Sequence, residues 1–270
     1  MAEAIRRNSA LVIGLALAGL IFAMASGTMT FHTGAAAASL IQAESPLMAG
    51  LAVIIALALA LVIACVVGRM VNAVVGLFVL GGGLFVLAGR SGTIESLVFG
   101  GGSLSLLALE SLLWAGLVLL AAVVVFKVAG PLQDIEPEPS GRRPHWLMSN
   151  EALICAGAGV LVLPVVWVIA QSPMKGQVVA AATLGSVAAG LAGRLLSPHV
   201  QPILLFGSVC VFAGIGHMVG WAVEEDIQAA IVAGTANPWS LPMPVDYAAG
   251  SLLGVALGLG WAKSFLHHEE

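Results

Sequence analysis

Eight long apolar segments constrain the fold of this chain more than any other feature of its sequence. Each is close to the ~20 residues that a helix needs to cross the hydrocarbon core of a bilayer. Within lipid, a helix satisfies its own backbone hydrogen bonds, so a helix is the expected conformation. The segments run over residues 9–30, 47–68, 71–88, 104–126, 151–170, 178–196, 202–223 and 246–266. The sequence therefore predicts an all-α membrane protein of about eight transmembrane helices.

Charged side chains are too few to cover the surface of a water-soluble fold. They make up 9% of the 270 residues, against ~25% in soluble domains. The net charge is -4 and the basic residues are scattered, which excludes a nucleic-acid-binding surface. The predicted partner is the lipid bilayer, with other membrane subunits or a second copy of the chain as further candidates.

The lysines and arginines divide unevenly between the loops. With the N-terminus in the cytoplasm, only Arg90 and Lys175 fall outside. The cytoplasmic set is Arg6, Arg7, Arg69, Lys127, Arg142, Arg143, Arg194 and Lys263. Because basic residues concentrate on the cytoplasmic side, this pattern predicts a multi-pass protein of the inner or plasma membrane with both termini cytoplasmic.

The N-terminus also has the features of a cleavable signal peptide. Arg6 and Arg7 precede an apolar run, and Ala23-Met24-Ala25 has the spacing of a cleavage site. The internal repeat described next favours a retained helix, because the equivalent fifth segment lies within the chain and cannot be a signal. We expect the mature protein to begin at or near Met1.

The two halves of the chain carry similar landmarks in the same order. A Ser-Pro pair precedes the second and sixth segments, a Gly-Arg pair ends both, and residues 94–100 resemble residues 227–233. Chance similarity between Ala- and Leu-rich sequences is the alternative. Duplication predicts two tandem four-helix repeats, residues 1–129 and 151–270, joined by a cytoplasmic linker at 130–150. An even number of helices per copy gives both copies the same orientation.

Ionisable groups inside the apolar segments are the candidate functional residues, since burying a charge in a bilayer costs at least ~2.5 kcal/mol. Arg90 directly follows the third segment and Glu110 lies on the fourth, while His217 and Asp246 lie on the seventh and eighth. One interpretation is an interhelical ion-pair lock, in which Arg90 meets Glu110 and His217 meets Asp246, while Asp246 also caps the helix that follows Pro242 and Pro244. The other is a proton or cation site, with His217 and Glu110 titrating.

Catalytic and metal-binding patterns are not found. The sequence has no HExxH, CxxCH or Ser/His/Asp set, and its three cysteines lack metal-ligand spacing. We therefore predict neither a cofactor nor a metal, and favour a non-enzyme. Glycines in the third and seventh segments indicate close helix packing. The C-terminal His267-His268-Glu269-Glu270 is expected to be a solvated tail.

Two functions remain from these observations, and a third has weaker support. The first is a small-solute transporter or permease-like bundle, and the second is a non-catalytic structural or assembly subunit of a membrane complex. A lipid-modifying enzyme is suggested only by the acidic residues 224–226. A polar cavity at the midplane would favour transport, and a solid bundle with an exposed glycine-lined face would favour assembly.

Overall fold

The computed structural model describes residues 2–31, 34–135 and 149–266, and the regular elements of that part are helices. Eight helical spans are long and apolar enough to cross a membrane, as predicted. The α-helices are α1 (Ala2–Ala25), α2 (Pro46–Met70), α3 (Ala73–Arg90), α4 (Ile94–Phe99), α5 (Leu104–Ala129), α6 (Asn150–Gly157), α7 (Val162–Ile169), α8 (Lys175–Leu196), α9 (Ile203–Val223), α10 (Ile227–Ala233) and α11 (Pro244–Leu266). The protein is thus a polytopic helical membrane protein.

The fifth span, Asn150–Ile169, is made of two α-helices with one 3₁₀ turn between them. That turn covers Ala158–Leu161. Pro164 has no N–H for the carbonyl of Val160, four residues earlier, and its ring crowds that carbonyl. The break in the α-helical ladder therefore lies next to the residue that cannot support it.

The first helix differs from its predicted bounds, because it begins before Arg6 and ends at Ala25 instead of residue 30. Apolar length marks the part of a helix that fits the bilayer, whereas the helix itself continues through polar residues that favour helix. At its other end, a 3₁₀ turn at Ser26–Thr28 follows. The Ser26 and Thr28 hydroxyls there donate to the carbonyls of Ala23 and Ala25.

The residues between α1 and α2 are folded into the bundle and do not form a free loop. We call residues 26–45, except 32 and 33, the α1–α2 segment. Met29, Ala37 and Ala38 of this segment are buried. The Gly92 amide donates to the Ala37 carbonyl at 3.0 Å. A Cβ at Gly92 would lie 2.6 Å from the Ala36 carbonyl oxygen, so this approach requires glycine.

The closest helix pairing is between α8 and α11. Gly250, Gly254 and Gly258 recur every fourth residue of α11 and face α8. A Cβ on Gly254 would lie 2.3 Å from the Thr183 carbonyl oxygen, and one on Gly258 would lie 2.2 Å from that of Val187. The Gly-x-x-x-Gly spacing is the sequence signal for this contact, but these glycines were not among those predicted to pack closely.

Gly76, Gly81, Gly82 and Gly83 of α3 make close contacts, which supports the packing interpretation for that helix, whereas Gly89 has no atom within 4 Å of an added Cβ. Gly81 faces Leu252 of α11, and Gly83 faces Ala18 and Phe22 of α1. Between the two halves of the chain, α3 packs along α11 and α5 packs along α9. The short helices α4 and α10 also meet, where the Gln228 side-chain amide donates to the Val98 carbonyl at 3.4 Å.

Part of the predicted linker packs against the C-terminal ends of α8 and α11. Asp134 contacts the buried Arg194 at 3.4 Å and Lys263 at 3.3 Å. The Gln201 side chain exchanges hydrogen bonds with the backbone of Leu132. Residues 136–148 of the linker and the tail at 267–270 lie outside the described residues.

Candidate functional site

Glu110 lies in the second turn of α5 and is 2% exposed. Its carboxylate accepts three hydrogen bonds. The Ser39 hydroxyl donates to Oε2, while the Leu40 amide and the Trp114 indole N–H each donate to Oε1 at 3.4 Å. Two of these donors belong to the α1–α2 segment, which therefore covers the carboxylate.

No basic side chain pairs with Glu110 within the described part of the chain, whose ion pairs all involve other acids. The predicted Arg90–Glu110 pair is therefore wrong. Arg90 is exposed, and its guanidinium donates to the Ala23 carbonyl at 3.3 Å. The reason is helix rotation: the end of α3 turns Arg90 towards α1, while α5 turns Glu110 towards the α1–α2 segment.

His217 is fully buried on α9, and both of its ring nitrogens have partners. Nε2 lies 2.9 Å from the Pro242 carbonyl oxygen, and Nδ1 lies 3.0 Å from the Ser111 hydroxyl. A carbonyl oxygen only accepts, so Nε2 carries a proton, and in the neutral ring the Ser111 hydroxyl donates to Nδ1. The predicted His217–Asp246 pair is wrong, because other groups occupy both nitrogens.

Asp246 is fully buried at the start of α11 and forms an ion pair with Lys175 of α8, with Nζ and Oδ1 2.7 Å apart. Its Oδ2 accepts from the Met243 amide at 2.8 Å, which caps the helix that begins at Pro244. Asp246 is therefore both a helix cap and one member of a lock, as one interpretation of the sequence proposed, but its partner is Lys175.

Lys175 connects the two halves of the chain. Besides Asp246, its ammonium donates to the Ser91 hydroxyl at 2.9 Å and to the Gly92 carbonyl at 3.1 Å. Three contacts use all three donors of an ammonium group. Sequence reasoning missed this role, although a signal existed: Lys175 and Arg90 are the two residues among the lysines and arginines that fall on the predicted outer side.

The four candidate residues therefore separate into different environments. Asp246 has a full counter-charge, Arg90 is at the surface, and Glu110 and His217 are buried without an ionic partner among the described residues. Glu110 and Ser111 are consecutive on α5, so one helix turn presents an acid to the α1–α2 segment and a hydroxyl to His217. Two buried ionisable side chains, Glu110 and His217, are thus connected through consecutive residues of α5.

Two of the acidic residues at 224–226 stabilise local structure. The Glu224 carboxylate accepts a hydrogen bond from the backbone N–H of Asn237 at 2.7 Å. The Asp226 carboxylate caps α10 by accepting from the backbone N–H of Ala229 at 3.0 Å. In the described part of the chain, no group of three His, Cys, Asp or Glu side chains is placed to hold a metal ion.

Comparison with known proteins identifies no relative: no protein-family model, no curated protein and no solved structure matches this chain.

Proposed function

We propose that this protein is a small-solute transporter, a permease-like bundle in which Glu110 binds the coupling proton or cation. The observation that carries the proposal is a carboxylate, 2% exposed, with no basic partner among the described residues. An ionised carboxylate in a low-dielectric interior costs several kcal/mol unless it is neutralised. Glu110 must therefore take up a proton or attract a cation.

Asp246 provides the internal comparison. A buried acid with a purely structural role is expected to have a counter-charge, and Lys175 supplies one at 2.7 Å. Glu110 instead meets a hydroxyl, an amide and an indole. The Ser39 hydroxyl donates to a carboxylate and equally accepts from a carboxylic acid. The Glu110 environment thus accommodates both protonation states, which a transporter requires of its coupling group.

Access to Glu110 depends on the α1–α2 segment. Ser39 and Leu40 come from that segment, so water reaches the carboxylate from this end of the bundle only when the segment moves away. Transport by alternating access needs an element of this kind, which closes one side of a binding site.

The proposed architecture is two tandem four-helix repeats in parallel orientation, with both termini in the cytoplasm. Reciprocal packing supports it: the third span of each half, α3 or α9, lies against the fourth span of the other, α11 or α5. A two-fold axis along the membrane normal would produce this reciprocity. A short helix, α4 or α10, also precedes the fourth span of each half.

A non-catalytic structural or assembly subunit is the second candidate. The sequence-based argument for an assembly subunit requires glycine-rich helix faces that are free to contact a partner protein. Gly76, Gly81, Gly82 and Gly83 of α3 contact helices of the same chain. Those contacts leave this face of α3 without room for another subunit, so we rank transport first.

Proteoliposomes containing a pH-sensitive dye would test transport. We expect particular members of a panel of small solutes to change the internal pH when they are added outside. The Glu110→Gln variant should abolish that proton flux, because an amide does not titrate. The matched control is Glu44→Gln, the same change at an exposed residue of the α1–α2 segment. Equal proton flux in the Glu110→Gln variant and the wild type would refute the role of Glu110.

A further inference from the structure

A groove of about 440 Å³ opens between α1 and α2 at the N-terminal end of the bundle. Its floor contains Gly14 and Val67, both buried, where a Cβ on Gly14 would lie 2.9 Å from Val67. Its walls include Ile13 and Val62, which are 57% and 62% exposed. The groove is therefore open along its side, towards the hydrocarbon of the bilayer.

The length of the groove matches one leaflet of a bilayer. Its α1 wall runs from Arg6 to Leu17, eleven residues apart. At 1.5 Å per residue this is about 16 Å, and half of the ~30 Å hydrocarbon core is about 15 Å. An extended acyl chain within one leaflet therefore has the length that the groove offers.

The charge on the groove lies at one end. Arg6 is its only charged lining residue, is exposed, and makes no hydrogen bond or ion pair with the part of the chain that the structure describes. Arg7, the next residue, does not line the groove. A guanidinium binds the oxygens of a phosphate in a planar, two-point contact. Arg6 is thus placed at the level of the headgroups when an acyl chain fills the groove.

We propose that this groove binds an anionic phospholipid, with one acyl chain between α1 and α2 and the headgroup phosphate on Arg6. The site is on the lipid-facing side of α1 and α2, away from Glu110, and does not depend on the proposed transport function. Apolar contact along Ile13, Val62 and Val66 binds the chain, and Arg6 selects the charge of the headgroup.

Native mass spectrometry of the full-length protein in detergent would test the site with two lipids of identical acyl chains, phosphatidylglycerol and phosphatidylcholine. We expect the wild-type protein to retain one phosphatidylglycerol with an affinity about five-fold higher, since one arginine near a membrane surface contributes ~1 kcal/mol. The Arg6→Gln variant should lose that preference and still bind both lipids, whereas Arg7→Gln should keep it. Both variants change exposed side chains only, so folding is preserved.

A filled groove provides the second comparison. Ala10→Phe should weaken the binding of both lipids, because the ring occupies the space of the acyl chain. Ala16→Phe is the same change at an exposed position of α1 that does not line the groove, and it should weaken neither. Soluble glycerol phosphate should not compete, because it lacks the acyl chain. Equal binding of the two lipids by the wild type, equal losses in the Arg6 and Arg7 variants, or displacement by glycerol phosphate would each overturn the proposal.

Discussion

The Lys175–Asp246 ion pair should be the most sensitive polar contact of the bundle. The two atoms are 2.7 Å apart, and the side chains are 17% and 0% exposed. At that distance and an effective dielectric constant of about 20, their attraction is about 6 kcal/mol. Much of this offsets the desolvation of the two charges. Removing Lys175 alone leaves Asp246 charged and buried, so Lys175→Met should lower the free energy of unfolding by about 3–5 kcal/mol.

A double-mutant cycle separates the ion pair from other effects of each substitution. Asp246→Asn should cost about 2 kcal/mol, because Lys175 keeps its bonds to Ser91 and Gly92 and some contact with water. The double variant should cost about 3 kcal/mol, since it buries no unpaired charge. The sum of the single changes then exceeds the double change by at least about 2 kcal/mol.

The assay is unfolding of the purified protein in mixed micelles by increasing SDS, followed by circular dichroism. Lys263→Met is the matched control, because Lys263 is 44% exposed and meets Asp134 at 3.3 Å. A pair with one exposed member contributes no more than about 1 kcal/mol. Additive effects of Lys175→Met and Asp246→Asn, within about 0.5 kcal/mol, would refute the coupling that we infer from the geometry.

Three further predictions follow from the packing and the topology. Gly254→Ala should destabilise the protein by about 1–3 kcal/mol through overpacking against α8. Gly260→Ala should not, because no atom lies within 4 Å of the new Cβ. SDS unfolding would compare the two variants, and equal effects would contradict the tight α8–α11 contact. Reporter fusions after Lys263 should read cytoplasmic and those near Gly234 external, and an external signal at Lys263 would contradict the proposed orientation. Arg90→Gln should change the free energy of unfolding by no more than about 0.5 kcal/mol in the same assay, because the side chain is exposed; a large loss would mean that Arg90 has a buried partner.

The number of helices was predictable from the sequence because membrane insertion depends on local apolar length. The bounds of most spans agree with the structure to within three residues; α5, for example, begins at Leu104 as predicted. The existence and approximate depth of the buried acids follow from the same local signal.

The partners of those acids were not predictable, because they depend on how each helix is rotated about its axis. Apolar residues surround the spans on all sides, so no amphipathic pattern indicates which face is turned inwards. Ser39 adds a second difficulty, since it lies in a stretch of small residues with no motif and becomes a partner of Glu110 only in the folded protein. Lys175 was visible as a charge, but its three partners come from distant parts of the chain.

The contact between Ser39 and Glu110 also imposes an order on biosynthesis. The two residues are 71 positions apart, so α1 and α2 leave the ribosome and enter the membrane before α5 exists. During that interval, Ser39 and Leu40 have no carboxylate to bind, and the α1–α2 segment lacks the contacts that α5 provides. The segment can reach its final position only after α5 is inserted. A nascent chain halted before Glu110 should therefore expose the segment to external protease, and a chain released after α5 should protect it.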